Sequence, residues 1–183
     1  GGLVDKILGG SLGVGISRHI CSAYHWLARN YAEGDEIYLF GFSRGAFTVR
    51  SLGGVLSHGL PDLAGVESAP GWERIHTIYQ EAYRKQKGLA SKKIKDAWPF
   101  FHKRKSVPIR FIGVWDTVGA LGIPDDLELL NIFENKENWE FHDVKLGKHV
   151  QTARHAMALD EIRSSFCVTR WSNALSHPDV KEI

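Results

Sequence analysis

Residues 38–47 read Tyr-Leu-Phe-Gly-Phe-Ser-Arg-Gly-Ala-Phe (YLFGFSRGAF), and the way this stretch folds decides the fold of the chain. It closes EIYLFGF (36–42), a short apolar run without polar alternation, the pattern of a strand buried on both faces. The residues after it, RGAFTVRSLGGVLSHGL, switch to helical spacing through Phe47, Val49, Leu52, Val55 and Leu56, then stop at Gly59 and Pro61. Between strand and helix sits Gly41-Phe42-Ser43-Arg44-Gly45, a G-x-S-x-G pentapeptide. A buried strand that turns at once into a helix predicts an α/β fold with a mostly parallel sheet.

Working outward, ISRHICSAYHWLARNY (16–31) repeats apolar residues at Ile16, Ile20, Ala23, Tyr24, Leu27 and Tyr31, an amphipathic helix ended by Glu33-Gly34-Asp35. The opening GGLVDKILGGSLGVG reads as a flexible loop because of its glycines. Downstream, a polar helix is expected over about 72–87, followed by the basic stretch RKQKGLASKKIKDAW. IRFIGVW (109–115) is a second buried strand and ends on Asp116. Residues 125–147 are mixed and amphipathic, a helix or insertion covering the sheet. HVQTARHAMALDEIRSSF reads as a further helix, with apolar Val150, Ala153, Ala156, Met157 and Leu159. FCVTRW (166–171) is a candidate third strand, and SHPDVKEI leads toward another. Two or three strands are few for a doubly wound sheet, so the expectation is one domain over 1–183, cut short.

Composition narrows the function classes. The 183 residues are 43% hydrophobic and 24% charged, as in ordinary globular domains. A formal charge of +2, from 23 Lys+Arg against 21 Asp+Glu, argues against nucleic-acid binding. The basic stretch reads as a solvated face, with contact to anionic headgroups as the alternative. WPFFH (98–102) beside it reads as ordinary packing, with peripheral membrane docking as its alternative. No run approaches the roughly 20 apolar residues of a membrane span. Cys21 and Cys167 match no metal-ligand spacing and read as buried thiols, which slightly favours a reducing, cytoplasmic compartment. No metal or cofactor site is expected.

Ser43 has two readings: a nucleophile on a sharp turn, or a helix N-cap. The first requires a delivering strand, a strained turn and a departing helix, all of which surround it. Gly41 and Gly45 supply the room such an elbow needs, and Arg44 would give its backbone N–H to an oxyanion hole. A serine hydroxyl needs a base, and the base needs a carboxylate. Asp116 ends a later buried strand and so faces the same crevice, unless it only caps the next turn. Asp125 and Asp126 fall on a loop and Asp160 within a helix, poorer positions for the acid. Among the histidines that follow, His142 and His149 lie in the insertion, His155 on a helix, and His177 before a proline. His155 and His177 are the lesser candidates for a base.

Three ordered blocks, GDEIYLFGFSRGAFTVRSLGGVL, FIGVWDTVGALGIP and ARHAMALDEIRSSFCVTRW, resemble the type VI secretion phospholipase-effector family of α/β hydrolases. The resemblance implies a three-layer α/β-hydrolase-like fold and a Ser-Asp-His triad cleaving lipid esters, with Ser43 as nucleophile and Asp116 as acid. Such members begin with a strand leading to an Asp-Gly-Thr motif and carry a glycine-rich histidine block after the segment matching FCVTRW. Neither is present, so the resemblance places the base beyond residue 183 and implies that this chain alone is inactive. A catalytically silent module binding a lipid or protein partner is the competing reading.

Overall fold

Four parallel strands run side by side in the order of the sequence: β1 (Tyr38–Phe42), β2 (Ile109–Trp115), β3 (Val150–Ala156) and β4 (Val180–Glu182). The structure, a computed structural model, describes residues 4–116 (side chains from 16 onward), 145–160, 168–177 and 179–182. Phe42 pairs with Trp115, and Trp115 in turn with Ala156, so the first three strands end at one level. The parallel α/β arrangement expected from the sequence is present. The segment at 125–147 falls almost wholly outside the described residues.

Three helices form the second layer: α1 (Val4–Asn30), α2 (Arg44–Ser57) and α3 (Ser68–Ile78). The α2 helix lies directly on the sheet. A Cβ at Gly53 would come within 3.3 Å of Ile112 Cδ1, so glycine lets the helix backbone approach β2. On its sheet side α2 buries Leu52, Val55 and Leu56 against Ile109, Ile112 and Val114. Tyr24 of α1 is fully buried and donates its hydroxyl to the Gly59 carbonyl at 2.6 Å, fixing α1 to the end of α2. All three helices occupy one face of the sheet. On the other face Tyr38, Phe40, Phe42 and Trp115 stand exposed, and no described helix covers them.

The polar helix expected over 72–87 is α3, prolonged by a π-helical turn, Tyr79–Arg84. That turn swings Glu81 inward to 4% side-chain exposure. Its carboxylate accepts from Lys85 Nζ at 2.8 Å and Ser91 Oγ at 3.1 Å, with Lys93 at 3.4 Å and Lys87 at 3.8 Å. The basic stretch is therefore a lysine-bearing loop pinned by one buried acid, with Ile94 and Trp98 turned into the core. Phe100 and Phe101 are partly buried against the same core, so WPFFH packs inward rather than presenting a membrane-docking ridge.

Four local expectations are corrected. The glycine-rich opening is helical from Val4, continuous with the rest of α1. Extending an existing helix costs far less than nucleating one, so glycines lower the propensity without ending it. HVQTARHA is strand β3, not helix. Its apolar Val150, Ala153 and Ala156 recur at helical spacing, and pairing with β2 and β4, which buries Val150, Ala153 and His155, decides for the strand. Asp160 consequently lies in a turn rather than in a helix. Of FCVTRW, Phe166 and Cys167 lie outside the described residues, Val168 makes only an isolated bridge, and 169–171 run as coil; the next strand is β4, three residues inside SHPDVKEI.

Two measurements check this packing. Leu56 is fully buried between helix and sheet, so Leu56→Ala is expected to lower unfolding free energy by about 3 kcal/mol in a urea titration. The Lys85 hydrogen bond, helped by Ser91 and Lys93, holds the Glu81 carboxyl down to about 2 from 4.5. Its folded pKa is depressed, so its stabilisation is present above pH 4.5 and lost as pH falls toward 2. Glu81→Gln is expected to flatten stability against pH in that window.

Candidate active site

The turn at Ser43 is built by strand, glycine and helix together. Ser43 has φ 53° and ψ −119°, a backbone conformation that costs an L-residue of order 1–3 kcal/mol. The surroundings enforce it. The Ser43 N–H donates to the Trp115 carbonyl of β2 at 3.0 Å, and the Phe47 N–H donates back to the Ser43 carbonyl at 3.2 Å. A Cβ at Gly41 would sit 2.5 Å from the Gly45 carbonyl oxygen and 2.7 Å from the Ala46 Cα, so only glycine permits so sharp a reversal. Gly45 differs from the expectation: a Cβ there meets nothing within 4 Å, and its glycine is not sterically required.

Ser43 occupies the N-cap position of α2, yet its side chain makes no capping hydrogen bond. The hydroxyl is half-buried at the helix N-terminus, where the macrodipole favours developing negative charge. Arg44 is the first helical residue and its side chain is exposed. Its backbone N–H belongs to the first turn, whose amides lack intrahelical partners.

Asp116 follows β2 as Ser43 follows β1, and the two lie at neighbouring strand ends. Its N–H donates to the Ala156 carbonyl at 3.0 Å, and its φ is 41°. The Asp116 Oδ1 accepts from the Ala158 N–H at 2.5 Å. A loop amide just past β3 thus orients the carboxylate at the same end of the sheet as Ser43. Asp125, Asp126 and His142 lie outside the described residues.

Of the remaining candidate histidines, two lie at the opposite pole and one lies within β3 near its end. His149 precedes β3 and sits 2.9 Å from the Gly53 carbonyl, at the opposite pole. His177 precedes β4 at that same pole, its Nδ1 accepting from the Asp179 N–H at 3.4 Å. His155 is on β3 with its ring buried beneath α2. Its Nδ1 lies 3.5 Å from Glu182 Oε1, and its ring packs edge-on against Trp171 at 5.5 Å.

Sequence reasoning missed the cluster around His155. Arg50, also buried, lies over the Trp171 ring at 4.8 Å and donates to the carbonyls of Thr169 and Arg170. Glu182 accepts from the Trp171 N–H at 2.9 Å. The signal was present: Arg50 stands three and four residues from Phe47 and Ala46, on the buried stripe of α2. Burial, followed by Arg50, holds the His155 imidazole below its ordinary 6.5, with Glu182 opposing. The cluster ties α2, β3, β4 and the 168–171 loop together.

Three comparisons bear on this site. A family model described as "T6SS, Phospholipase effector Tle1-like, catalytic domain" matches residues 2–182. The uncharacterized protein YEL023C of Saccharomyces cerevisiae is 28% identical over 169 residues, covering 89% of this chain and 22% of that protein. The chain therefore spans about a fifth of that relative's length. No solved structure matches.

Two variants test the geometry. Gly41→Ala must move backbone and is expected to destabilise the fold by more than about 2 kcal/mol, while Gly45→Ala is tolerated in the same urea titration. For His155 the folded pKa is lowered, so its stabilisation holds above pH 6.5 and is lost as pH falls below it. His58 and His149 are held down by burial too. His155→Gln is therefore expected to reduce, not abolish, the loss of stability between pH 7.5 and 5.5.

Proposed function

The chain belongs to the family of T6SS Tle1-like phospholipase effector catalytic domains, and from that premise we propose that it is the nucleophile-bearing part of a serine hydrolase acting on lipid esters. The reading rests on one observation above all. Ser43 is held at φ 53°, ψ −119° between a parallel strand and a helix, with its hydroxyl uncommitted to capping. Strain of this kind persists where the surroundings over-determine it, and here it would present a hydroxyl at a helix N-terminus.

In this proposal Ser43 Oγ attacks the ester carbonyl carbon as a base removes its proton. The resulting oxyanion is met by backbone amides of the α2 first turn, that of Arg44 included. The tetrahedral intermediate expels the alcohol, which takes the proton from the base, and leaves an acyl group on Ser43. Water activated by the same base then releases the acid. Asp116 would hold the base's tautomer and stabilise its cation. The resemblance implies that a histidine in a glycine-rich block is that base, with His155 and His177 as the lesser candidates. A module that binds lipid or a protein partner without turnover is the competing reading.

A fluorophosphonate probe applied to the full-length protein decides between them. Labelling is expected on Ser43, with Ser43→Ala abolishing it and lowering ester turnover at least about 10³-fold. Label that survives Ser43→Ala would remove Ser43 from the mechanism. A folded full-length protein that neither labels nor turns over esters would favour the binding module.

A further inference from the structure

Three lysines converge on one carboxylate. Lys85 Nζ and Lys93 Nζ lie 2.8 Å and 3.4 Å from Glu81 Oε1, and Lys87 Nζ lies 3.8 Å from Oε2. Ser91 Oγ donates to that second oxygen at 3.1 Å. One ammonium is enough to neutralise a carboxylate. The other two leave a local surplus of positive charge, and like charges gathered this closely repel. The Glu81 side chain is 4% exposed, whereas those of Lys85, Lys87 and Lys93 are half-exposed or more. The acid sits inside and the ammonium groups reach solvent around it.

The backbone is bent to bring this about. Tyr79–Arg84 forms a π-helical turn, a rare form that recurs at functional sites. Just after it Gln86 has φ 55°, in the left-handed region, which is unfavourable for a non-glycine residue. The Lys87 N–H then donates to the Glu81 carbonyl at 3.1 Å, so the chain reverses and returns Lys87 to the acid it has just left. Neutralising Glu81 does not require that reversal, since Lys85, one helical turn on, already donates to it. Donors also remain once Glu81 is served. Each ammonium carries three N–H groups, and Lys87 at 3.8 Å stands beyond hydrogen-bond reach of the carboxylate.

We propose that Lys85, Lys87 and Lys93 form a binding site for a phosphomonoester, carried either by a soluble ester or by a lipid headgroup. Such a group is close to doubly charged above its second pKa of about 6, which matches the surplus left around Glu81. Its terminal oxygens accept charge-assisted hydrogen bonds from ammonium groups arriving from different parts of the loop. Glu81 collects the lysines beforehand, which lowers the ordering cost of binding. The loop packs at the end of α2, where the Tyr83 and His58 rings lie 6.4 Å apart. That is about 20 Å along the helix from Ser43, so binding there is measured separately from any chemistry at Ser43.

Calorimetric titration with glycerol 3-phosphate tests the site, using the full-length protein with Ser43→Ala so that no ester is turned over. A small dianion held by a few charge-assisted hydrogen bonds predicts saturable binding with Kd of about 1 mM. Lys87→Gln with Lys93→Gln is expected to weaken it at least about tenfold, while Lys85 still anchors the loop to Glu81. Lys92→Gln with Lys95→Gln removes the same charge from the same loop outside the cluster, and is expected to change binding less than about twofold. Flotation with phosphatidylcholine vesicles containing phosphatidic acid separates the two sources. Vesicle binding that is lost with Lys87→Gln and Lys93→Gln places the phosphate on a lipid; binding of glycerol 3-phosphate alone places it on a soluble ester. No saturable titration, or equal losses from the two lysine pairs, would overturn the proposal.

Discussion

One backbone reversal organises this domain. Ser43 hydrogen-bonds through its N–H to β2 while its carbonyl begins α2, and Gly41 lets the returning helix touch the strand it has just left. Everything that follows is placed by that contact. The α2 axis is set relative to β1, Gly53 brings the same helix onto Ile112, and α1 and α3 stack behind it. A conformation unfavourable for serine is maintained because relaxing it would unseat a helix whose inner face is buried along its length. The strain and the core are two sides of one arrangement.

The second organising feature is the common level at which β1, β2 and β3 end. Parallel strands bring their C-terminal loops to one edge of the sheet, and polar groups from distant parts of the chain meet there. Ser43, Asp116 and Ala158 do so. The opposite pole is differently built. It carries the end of α2, the His149 and His177 turns and the lysine-bearing loop held by Glu81. Nine of the chain's 23 basic residues lie within residues 84–105, against a single acid there, Asp96. Positive charge therefore collects beside the carbonyl end of the α2 dipole, where it is stabilising.

Much of this was legible in the residues. EIYLFGF and IRFIGVW are apolar on both faces and read as parallel strands; the helices at 16–31 and 44–57 follow from unambiguous spacing. VQTARHA was not legible, because Val150, Ala153 and Ala156 recur at helical spacing although the segment pairs as a strand. Only the neighbouring strands resolve the ambiguity, by burying His155 beneath α2. The glycine-rich opening misled through propensity, which a contiguous helix overrides. Near Ser43, the sharp turn between strand and helix was readable from the spacing of the residues, and the place of Asp116 at a strand end from the apolar run before it. The Arg50, His155 and Glu182 cluster joins residues 132 positions apart in sequence, and no local pattern encodes such a meeting.

The bond from the Ala158 amide to the Asp116 carboxylate has a wider implication. Ser43 and Asp116 are positioned by different hardware. Ser43 is fixed by packing that cannot change without unfolding the domain, whereas Asp116 takes its orientation from a surface turn after β3. Leu159, next along that turn, is almost wholly exposed and constrains little. Descent with modification can therefore adjust Asp116 by reshaping a loop while the Ser43 turn stays as it is. Divergence among such domains would accumulate in that turn before it reached the core.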